Sequence, residues 1–295
     1  ASAHVGDARR AFLYDGLRQL DDDLRQKGSR LLLRTGEPTA VFYHLLAESG
    51  ASAIFAEADY TRYARRRDEE VAADHPLTLV GSPAIRPPGE VLKKDGHPYT
   101  VFTPFSKMWK GQALPRRNEL LPSPEVIPTP TDLKSDPLPS APTLPAGVPF
   151  VAGEARAADL LHDFLEKRIY RYDDKRDRVD LNGTSTLSPY LRFGMVSARE
   201  TAVCAIEAIG KAGGKTSRDN AQVWLDELIW RDFYLQILHY FPHVLGNNFR
   251  SKYDAVAWRD DIDEFAAWCA GQPGYPIVDA AMRQRIEPGW LRGRA

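Results

Sequence analysis

One stretch of the chain combines residues that could do chemistry with the spacing of a helix. The segment 221–241 contains no Gly or Pro and is rich in Leu, Ile and aromatic residues, which predicts a buried helix. At about 100° per residue, Trp224, Glu227 and Arg231 fall within roughly 60° of one another on that helix. Trp230 lies beside Glu227. Two indoles, a carboxylate and a guanidinium would therefore line one wall of an otherwise apolar helix.

This wall has a functional and a structural interpretation. A buried charged pair costs free energy that apolar residues would not cost, so its presence favours a functional site. Alternatively, Glu227 and Arg231 form an ordinary surface ion pair between residues i and i+4, which contributes only ~0.2–0.5 kcal/mol. The helix taken alone favours the surface pair, and the rest of the chain has to decide.

The composition is that of an ordinary soluble globular protein. With 295 residues, 43% hydrophobic and 27% charged, the chain is long enough for two domains with a buried core. The net charge of -1 means that any nucleic acid must be bound by a local basic patch. Only Cys204 and Cys269 and scattered histidines occur, so no metal site is predicted. Without a long apolar run or a signal peptide, we expect a cytoplasmic protein with no membrane contact.

The first 110 residues alternate between helical periodicity and short apolar runs. Helices are predicted at 7–27, 38–50 and around 62–67, and strands at 31–33, 53–56 and 77–80. This order predicts an α/β domain over 1–110 with a Rossmann-like parallel sheet. A further edge strand is predicted at 99–105. Because such a domain normally opens with a strand and this chain opens with a helix, we expect its first strand to precede the sequence.

A Pro-rich stretch separates this region from a helical one. Ten of the 22 prolines lie between Pro115 and Pro149. They predict a stiff inter-domain linker over 111–150 without regular hydrogen bonds. From there on, helices are predicted at 155–169, 197–210, 221–241, 262–270 and 277–286. The segment 151–295 is therefore predicted to be an all-α domain.

Two segments could hold a phosphate. Residues 210–217 contain Gly and Lys, but they have one residue too few for a phosphate loop and follow a helix instead of a strand. We interpret them as a helix–helix loop. Residues 183–190 place hydroxyl side chains beside a glycine ahead of a helix, and such a cluster can offer donors to a phosphate. The simpler interpretation of this second segment is an N-cap, in which Thr or Ser begins the helix.

Three segments together resemble one protein family. Residues 184–190 (TSTLSPY), 224–234 (WLDELIWRDFY) and 274–283 (GYPIVDAAMR) look like successive motifs of the DNA photolyase/cryptochrome family, in its order and approximate spacing. The resemblance covers nearly the whole chain. The LIWRDFY wording is most similar to bacterial class I cyclobutane pyrimidine dimer photolyases.

The resemblance implies a deoxyribodipyrimidine photolyase, a carbon–carbon lyase that repairs DNA with light. An antenna domain over 1–110 and a helical domain binding FAD and DNA over 151–295 would both be incomplete. Reduced and excited FAD would give an electron to a cyclobutane pyrimidine dimer flipped out of the duplex. A second chromophore would be a flavin or deazaflavin rather than folate, because Ala64 replaces an acidic residue of folate-binding relatives. We expect a monomer in the bacterial cytosol that associates with the nucleoid during repair.

The resemblance also implies roles for individual residues. The implied cofactor contacts are Tyr172, Thr184, Ser185, Thr186, Leu187, Ser188, Trp224 and Arg231. The implied DNA contacts are Arg176, Glu227, Trp230, Arg231, Tyr234, Gly293 and Arg294. Glu227 would hydrogen-bond the dimer, Trp230 would stack on it, and Trp258 would return electrons to the flavin from the surface. Gly293 stands where the family has an asparagine.

Two other functions stay open. A cryptochrome-like blue-light photoreceptor would keep the fold and the flavin but would signal without repairing DNA. Gly293 favours this alternative, whereas Glu227 with Trp230 favours repair. The chain could also be a truncated, inactive photolyase homologue that lacks the part needed to hold FAD. Flavin absorption and light-dependent loss of dimers would separate the three.

Overall fold

The computed structural model describes residues 6–143, 150–286, 289 and 291 of the chain. Its first part contains helices α1 (Asp7–Gln26), α2 (Pro38–Ser49) and α3 (Arg62–Asp74) and strands β1 (Ile54–Glu57) and β2 (Leu77–Val80). The two strands are parallel, with Ile54 opposite Leu77 and Glu57 opposite Val80. These bounds confirm the helices of this part and two of its predicted strands.

Local sequence signals explain where the elements around β1 begin and end. Pro38 lies in the first turn of α2, where its missing amide costs no hydrogen bond. Gly50 ends the same helix in the left-handed region, at φ 67°. The Thr61 hydroxyl accepts from the Ala64 amide at 3.3 Å and caps α3. Gly50 and Thr61 thus mark where the loops on the two sides of β1 begin and end.

The predicted strand at 31–33 is wrong. The Leu31 amide donates to the Asp21 carboxylate at 2.8 Å, and the Leu33 amide donates to the Ser135 hydroxyl at 3.0 Å. The Leu33 carbonyl accepts from the Asp136 amide at 2.8 Å. Because a side chain of α1 and the Pro-rich stretch take these groups, they form no ladder with β1. The described part of the sheet therefore has β1 and β2 alone.

The predicted edge strand at 99–105 is also wrong, because helix α4 (Phe102–Gly111) occupies most of it. Phe102, Phe105 and Trp109 follow the i, i+3, i+7 spacing of one helical face. Pro104 lies in the first turn, where a proline is tolerated. Phe105 and Trp109 are buried, so this face is the one that α4 packs inward.

The Pro-rich stretch is irregular in its described part, apart from a 3-10 turn at Arg117–Glu119. It runs along α1, where Arg18 donates to the Pro139 carbonyl at 2.7 Å and Lys27 donates to the Pro124 carbonyl at 2.7 Å. Side-chain donors of α1 therefore replace the regular backbone ladder that proline prevents. The domain boundaries at 110 and 150 stay a prediction.

The part after the Pro-rich stretch is helical, as the sequence predicts. Its helices are α5 (Glu154–Lys167), α6 (Tyr172–Lys175), α7 (Ser188–Arg192), α8 (Ala198–Lys211), α9 (Lys215–Tyr240), α10 (Ile262–Cys269) and α11 (Pro276–Ile286). Helix α9 begins at Lys215 instead of residue 221. Residues 212–214 separate α8 from α9, so the Gly-rich segment 210–217 does contain a helix–helix loop, but its two ends belong to the helices.

One hydrophobic cluster holds α9 in the middle of the fold. Its members include Phe12 of α1, Trp109 of α4, Phe164 of α5 and Ile229 of α9, all buried. The cluster thus takes residues from both sides of the Pro-rich stretch. Burial of this apolar surface fixes α9 between the α/β part and the other helices.

Candidate functional site

Two of the predicted cofactor residues meet on a third aromatic ring. Trp224 of α9 is buried and lies 4.8 Å from Phe164, measured between ring centroids. Phe164 also makes an edge-to-face contact with Tyr172, with centroids 5.9 Å apart. Sequence reasoning missed Phe164, although its place on the apolar face of α5 was visible. An aromatic cluster of Phe164, Tyr172 and Trp224 therefore forms one side of the site.

The carboxylate of Glu227 is bound by Arg176 and not by Arg231. Arg176 Nη1 donates to Glu227 Oε1 at 2.7 Å, and its Nε lies 3.1 Å from Asp173 Oδ1. The Arg176 guanidinium also lies over the Tyr172 ring, 6.0 Å from its centroid. The interpretation of Glu227 and Arg231 as a surface ion pair is therefore wrong. The Arg176–Glu227 pair adjoins the aromatic cluster.

The hydroxyl-rich loop 184–188 is attached to the same cluster by Arg168. Arg168 Nη1 donates to the Thr184 carbonyl at 3.0 Å, and its guanidinium lies 5.6 Å from the centroid of Phe164. Thr186 adopts a left-handed conformation with φ 58°. A side chain at Gly183 would come within 2.5 Å of the Lys175 carbonyl, so only glycine lets the loop approach α6 this closely.

The Thr184 hydroxyl gives this loop a feature that suits a ligand. Thr184 Oγ1 is buried and has no hydrogen-bond partner among the described residues. A buried hydroxyl without a partner costs free energy, so such a group in a folded protein calls for an explanation. A phosphate oxygen would accept a hydrogen bond from this hydroxyl. The loop therefore fits the diphosphate of a dinucleotide cofactor.

Trp230 and Tyr234 form a second aromatic surface further along α9. Their rings lie 5.5 Å apart with planes inclined by 23°. Phe102 of α4 is stacked on Trp230 at 3.6 Å and 6°. The side chain of Tyr234 is 61% exposed, which makes it available to a partner. Sequence reasoning missed Phe102, because the strand predicted at 99–105 hid its helical spacing from Phe105 and Trp109.

Arg231 points away from Glu227, toward the α/β part. It donates to the carbonyl oxygens of Pro83 and Leu191. Burial lowers the pKa of its guanidinium, and the neighbouring Asp232 and Glu57 carboxylates oppose that shift. Arg231 therefore does not share the wall with Glu227 that the helical spacing predicts, and its predicted contacts with cofactor and DNA stay predictions.

A second cleft of about 750 Å³ opens beside Arg231. The wall of this cleft includes Glu57 at the end of β1, Asp59 in the loop that follows, and Arg67 of α3. Burial raises the pKa of Glu57, whereas Arg231 opposes that shift. The cleft thus carries charges of both signs and lies outside the Phe164–Tyr172–Trp224 cluster.

Asp232 is a buried carboxylate that sequence reasoning did not single out. It accepts from the amides of Ile85 and Arg86 at 2.9 and 3.0 Å and from the indole of Trp109 at 3.0 Å. Its side chain is 1% exposed, and burial raises its pKa to about 6 against these hydrogen bonds. Its donors lie more than a hundred residues away in sequence, so no local pattern reveals them.

The remaining predicted residues lie at the edge of the described part or beyond it. Trp258 is 79% exposed, in the irregular segment before α10, which agrees with a surface position. Gly293 and Arg294 lie outside the described residues. Within the described ranges, no group of three or more His, Cys, Asp or Glu is arranged to hold a metal ion. None of the described helices is long and apolar enough to cross a membrane.

Known proteins share both parts of this chain. Residues 1–127 match the family described as DNA photolyase, and residues 224–295 match the FAD binding domain of DNA photolyase. The deoxyribodipyrimidine photo-lyase of a Synechococcus species is 35% identical over 309 residues, covering 99% of this chain and 63% of that protein.

Solved structures are similar over the same length. A class III photolyase from Agrobacterium tumefaciens is 28% identical with a TM-score of 0.89, covering 100% of this chain and 63% of that chain. An archaeal photolyase from Sulfolobus tokodaii, solved with two FAD molecules, is 28% identical with a TM-score of 0.73. That likeness covers 98% of this chain and 62% of the archaeal chain.

The α/β part and the helical part thus match two models of one family, in the order DNA photolyase and then FAD binding domain. The chain belongs to the DNA photolyase/cryptochrome family. It spans 63% of the length of the Synechococcus relative. The family prediction is therefore confirmed, whereas the class I assignment is not.

Proposed function

We propose that this chain belongs to a deoxyribodipyrimidine photolyase that uses FAD and light to split cyclobutane pyrimidine dimers in DNA. The observation that carries the proposal is the continuity between a phosphate-type loop and the Arg176–Glu227 ion pair, which joins the end of α6 to α9. Each residue contacts the next in a series that runs from the Thr184 carbonyl through Arg168, Phe164, Tyr172 and Arg176 to Glu227. One end of this series suits a cofactor phosphate and the other offers a carboxylate to a substrate.

The residues of the loop fit FAD. The Thr184 hydroxyl, buried without a partner, would donate to a diphosphate oxygen, and Ser185, Thr186 and Ser188 would add hydroxyl groups around it. Trp224 and Tyr172 would supply apolar aromatic surface beside the flavin. When bound and reduced, FAD supplies the excited electron that opens the dimer.

Glu227 and Trp230 would act on the substrate. A dimer is poorly stacked in the duplex, which lowers the cost of flipping it out, and an indole face can hold it with about 1–3 kcal/mol per base. In its protonated form the Glu227 carboxyl would donate a hydrogen bond to a dimer carbonyl and stabilise the negative charge that develops there. Arg176 would orient Glu227 and, with Arg294, meet DNA phosphates. Tyr234, exposed beside Trp230, would extend the contact with DNA.

The second cleft suits an antenna chromophore. Its volume of about 750 Å³ lies in the range of small-molecule sites. The archaeal relative was solved with two FAD molecules. We therefore propose a flavin or deazaflavin in this cleft, with the guanidinium of Arg231 or Arg67 on its polar end.

Finer assignments belong to the same proposal. The pyrimidine dimer is proposed as the substrate because several relatives are named deoxyribodipyrimidine photo-lyase. Membership of class I or class III stays open. Trp258, exposed at the surface, would return electrons to the flavin. We further propose a monomer that works in the bacterial cytosol on nucleoid DNA and needs no metal.

Illumination of dimer-containing DNA with the purified, FAD-loaded protein tests the function. The proposal requires a flavin absorption band that stays with the protein on gel filtration, followed by loss of dimers in the light and not in the dark. A stably bound flavin without dimer loss would support the cryptochrome-like alternative. A protein that takes up no FAD would support the inactive homologue.

A further inference from the structure

Helix α4 contacts α9 at both of its ends. Near its C-terminal end, Trp109 Nε1 donates to Asp232 at 3.0 Å. At its N-terminal end, Phe102 is stacked on Trp230 with ring centroids 3.6 Å apart. Phe102 and Trp109 are seven residues apart and lie on one face of α4. A single short helix therefore joins the two contacts.

Asp232 is a rigid anchor for this helix. Besides Trp109, the amides of Ile85 and Arg86 donate to its carboxylate, so three N–H groups converge on one buried side chain. The Arg86 guanidinium covers the Trp109 ring at 4.7 Å from its centroid. Any shift of the Trp109 indole would leave its buried N–H without an acceptor. The hydrogen bond to Asp232 therefore holds the indole in one position.

Phe102 in turn restricts Trp230. Its ring is parallel to the indole within 6° and so covers one indole face. Phe102 also meets Phe233 edge to face at 5.9 Å, and Phe105 lies 5.3 Å from the same ring. The position of Phe102 is therefore set by α4 as a whole and not by a flexible loop.

We propose that Asp232 is a positioning residue for Trp230. By holding the Trp109 indole it fixes α4 on α9, and α4 holds Phe102 flat against Trp230. The indole then offers a flipped base only the surface that Phe102 and Tyr234 leave open. This inference rests on the proposed function, because it states how the stacking residue of that site is oriented.

The variant that tests the inference most directly is Trp109→Phe, which removes the N–H donor and keeps a large aromatic ring. The whole chain is labelled with 5-fluorotryptophan, and the Trp230 fluorine resonance is assigned by its absence in Trp230→Phe. Phe102→Leu then gives the resonance of an indole without its stacked ring. We expect Trp109→Phe and Asp232→Asn to move the Trp230 resonance toward the Phe102→Leu position.

DNA binding gives a second readout. The ratio of affinities for dimer-containing and undamaged DNA should fall on the order of 3- to 10-fold in Trp109→Phe, since a misaligned base loses part of its stacking. Combining Trp109→Phe with Phe102→Leu should lower the ratio no further than Phe102→Leu alone, because both act through one contact.

Lys110→Met is the matched control. Lys110 follows Trp109 on α4 and pairs with Asp226 of α9 at 2.7 Å, on the partly exposed side of the same helix contact. Its loss should leave the fluorine resonance and the affinity ratio unchanged. Should Asp232→Asn fail to fold, Trp109→Phe alone decides.

The outcomes separate the two proposals. A lower melting temperature in Trp109→Phe with an unchanged Trp230 resonance would make Asp232 merely structural and overturn the inference. Wild-type protein that does not distinguish dimer-containing from undamaged DNA would contradict the proposed function instead. The fluorine resonance would still report whether Asp232 positions Trp230, because it is measured without DNA.

Discussion

The two carboxylates Glu227 and Asp232 lie five residues apart on α9, in opposite surroundings. The side chain of Glu227 is 38% exposed and its partner is the guanidinium of Arg176. The side chain of Asp232 is 1% exposed and is held by two backbone amides and the Trp109 indole. Glu227 is thus bound by one partly exposed guanidinium, whereas Asp232 is bound by buried backbone and indole N–H groups.

Because of this difference, Glu227 can exchange its hydrogen-bond partner and Asp232 cannot. Water can solvate Glu227 if its ion pair opens, so the pair costs little to break and Glu227 can turn to another partner. Asp232 has no such alternative, because its N–H donors and its own charge would be left unpaired in the interior. Helix α9 thus combines one carboxylate that water can reach with one that is buried and held by three N–H donors.

Replacing Asp232 by alanine should cause the largest drop in the free energy of unfolding, much larger than the drop caused by replacing Glu227. Asp232→Ala leaves three buried N–H donors without an acceptor, at about 1–3 kcal/mol each, so the free energy of unfolding should fall by at least about 3 kcal/mol. Glu227→Ala should lower it by less than about 1 kcal/mol. Urea unfolding followed by circular dichroism measures both, and equal losses would contradict the contrast.

Asp232 should contribute a pH-dependent part of the stability. Burial raises its pKa to about 6 in the folded protein, above the ordinary value near 3.8. The folded state therefore binds this proton more tightly, and the stability it contributes is full below about pH 4 and is lost as pH rises through about 6. The total change is at most about 3 kcal/mol, at about 1.4 kcal/mol per pKa unit.

Asp232→Asn isolates that effect because an amide does not titrate. The free energy of unfolding of wild type minus that of Asp232→Asn should increase as pH falls from 7.5 to 5. Both proteins share every other titrating group, so the difference cancels them. A difference that stays flat over this range would mean that the N–H donors keep the pKa of Asp232 near its ordinary value.

Glu227→Ala should act on repair rather than on folding. Losing a hydrogen bond to a charged group costs ~1.5–3 kcal/mol, which corresponds to a drop in repair yield on the order of tenfold. Bound FAD should remain, since the loop and the aromatic cluster are intact. The measurement is dimer loss per absorbed photon, with flavin absorbance recorded on the same sample.

Glu207→Ala is the matched control for Glu227→Ala. Glu207 of α8 also accepts from an arginine, Arg117, at 2.7 and 2.8 Å, but this pair has no contact with the loop or with Trp230. Its loss should leave repair unchanged. Loss of flavin in Glu227→Ala would mean that the residue supports the cofactor and not the substrate.

The sequence predicts the parts of this site that depend on neighbours along the chain. Helical spacing predicts α9 and places Trp224, Glu227 and Trp230 on it, and the hydroxyl cluster 184–188 is visible as a phosphate candidate. Both features follow from periodicity and residue type. The roles come from family motifs, and the likeness to photolyases supports them as proposals.

Contacts between distant segments are what the sequence could not reveal. Asp232 receives its donors from residues 85, 86 and 109, and Glu227 receives its partner from residue 176. A helical pattern predicted Arg231 as that partner, because spacing gives the face of a residue but not the direction of a long side chain. The apolar run at 31–33 likewise predicted a strand, since the sequence does not show which groups will take its amides.

The smallest effect on stability is expected for Thr184 in the loop 184–188. Replacing it should leave the free energy of unfolding unchanged or higher but should weaken the binding of FAD. Thr184→Val keeps the shape of the side chain and removes a buried hydroxyl that has no partner in the described part of the chain. Without FAD, the free energy of unfolding should stay the same or rise by up to about 1 kcal/mol. Affinity for FAD should fall on the order of tenfold, because the hydroxyl no longer donates to the diphosphate.

Thr201→Val is the matched control for Thr184→Val. The Thr201 hydroxyl is buried too, but it donates to the Ser197 carbonyl at 2.7 Å within α8. Its removal should lower the free energy of unfolding by about 1 kcal/mol and leave FAD affinity unchanged. If Thr184→Val behaves like Thr201→Val, its hydroxyl serves the folded chain and not a phosphate. The site beside Glu227 would then lack this contact with a cofactor.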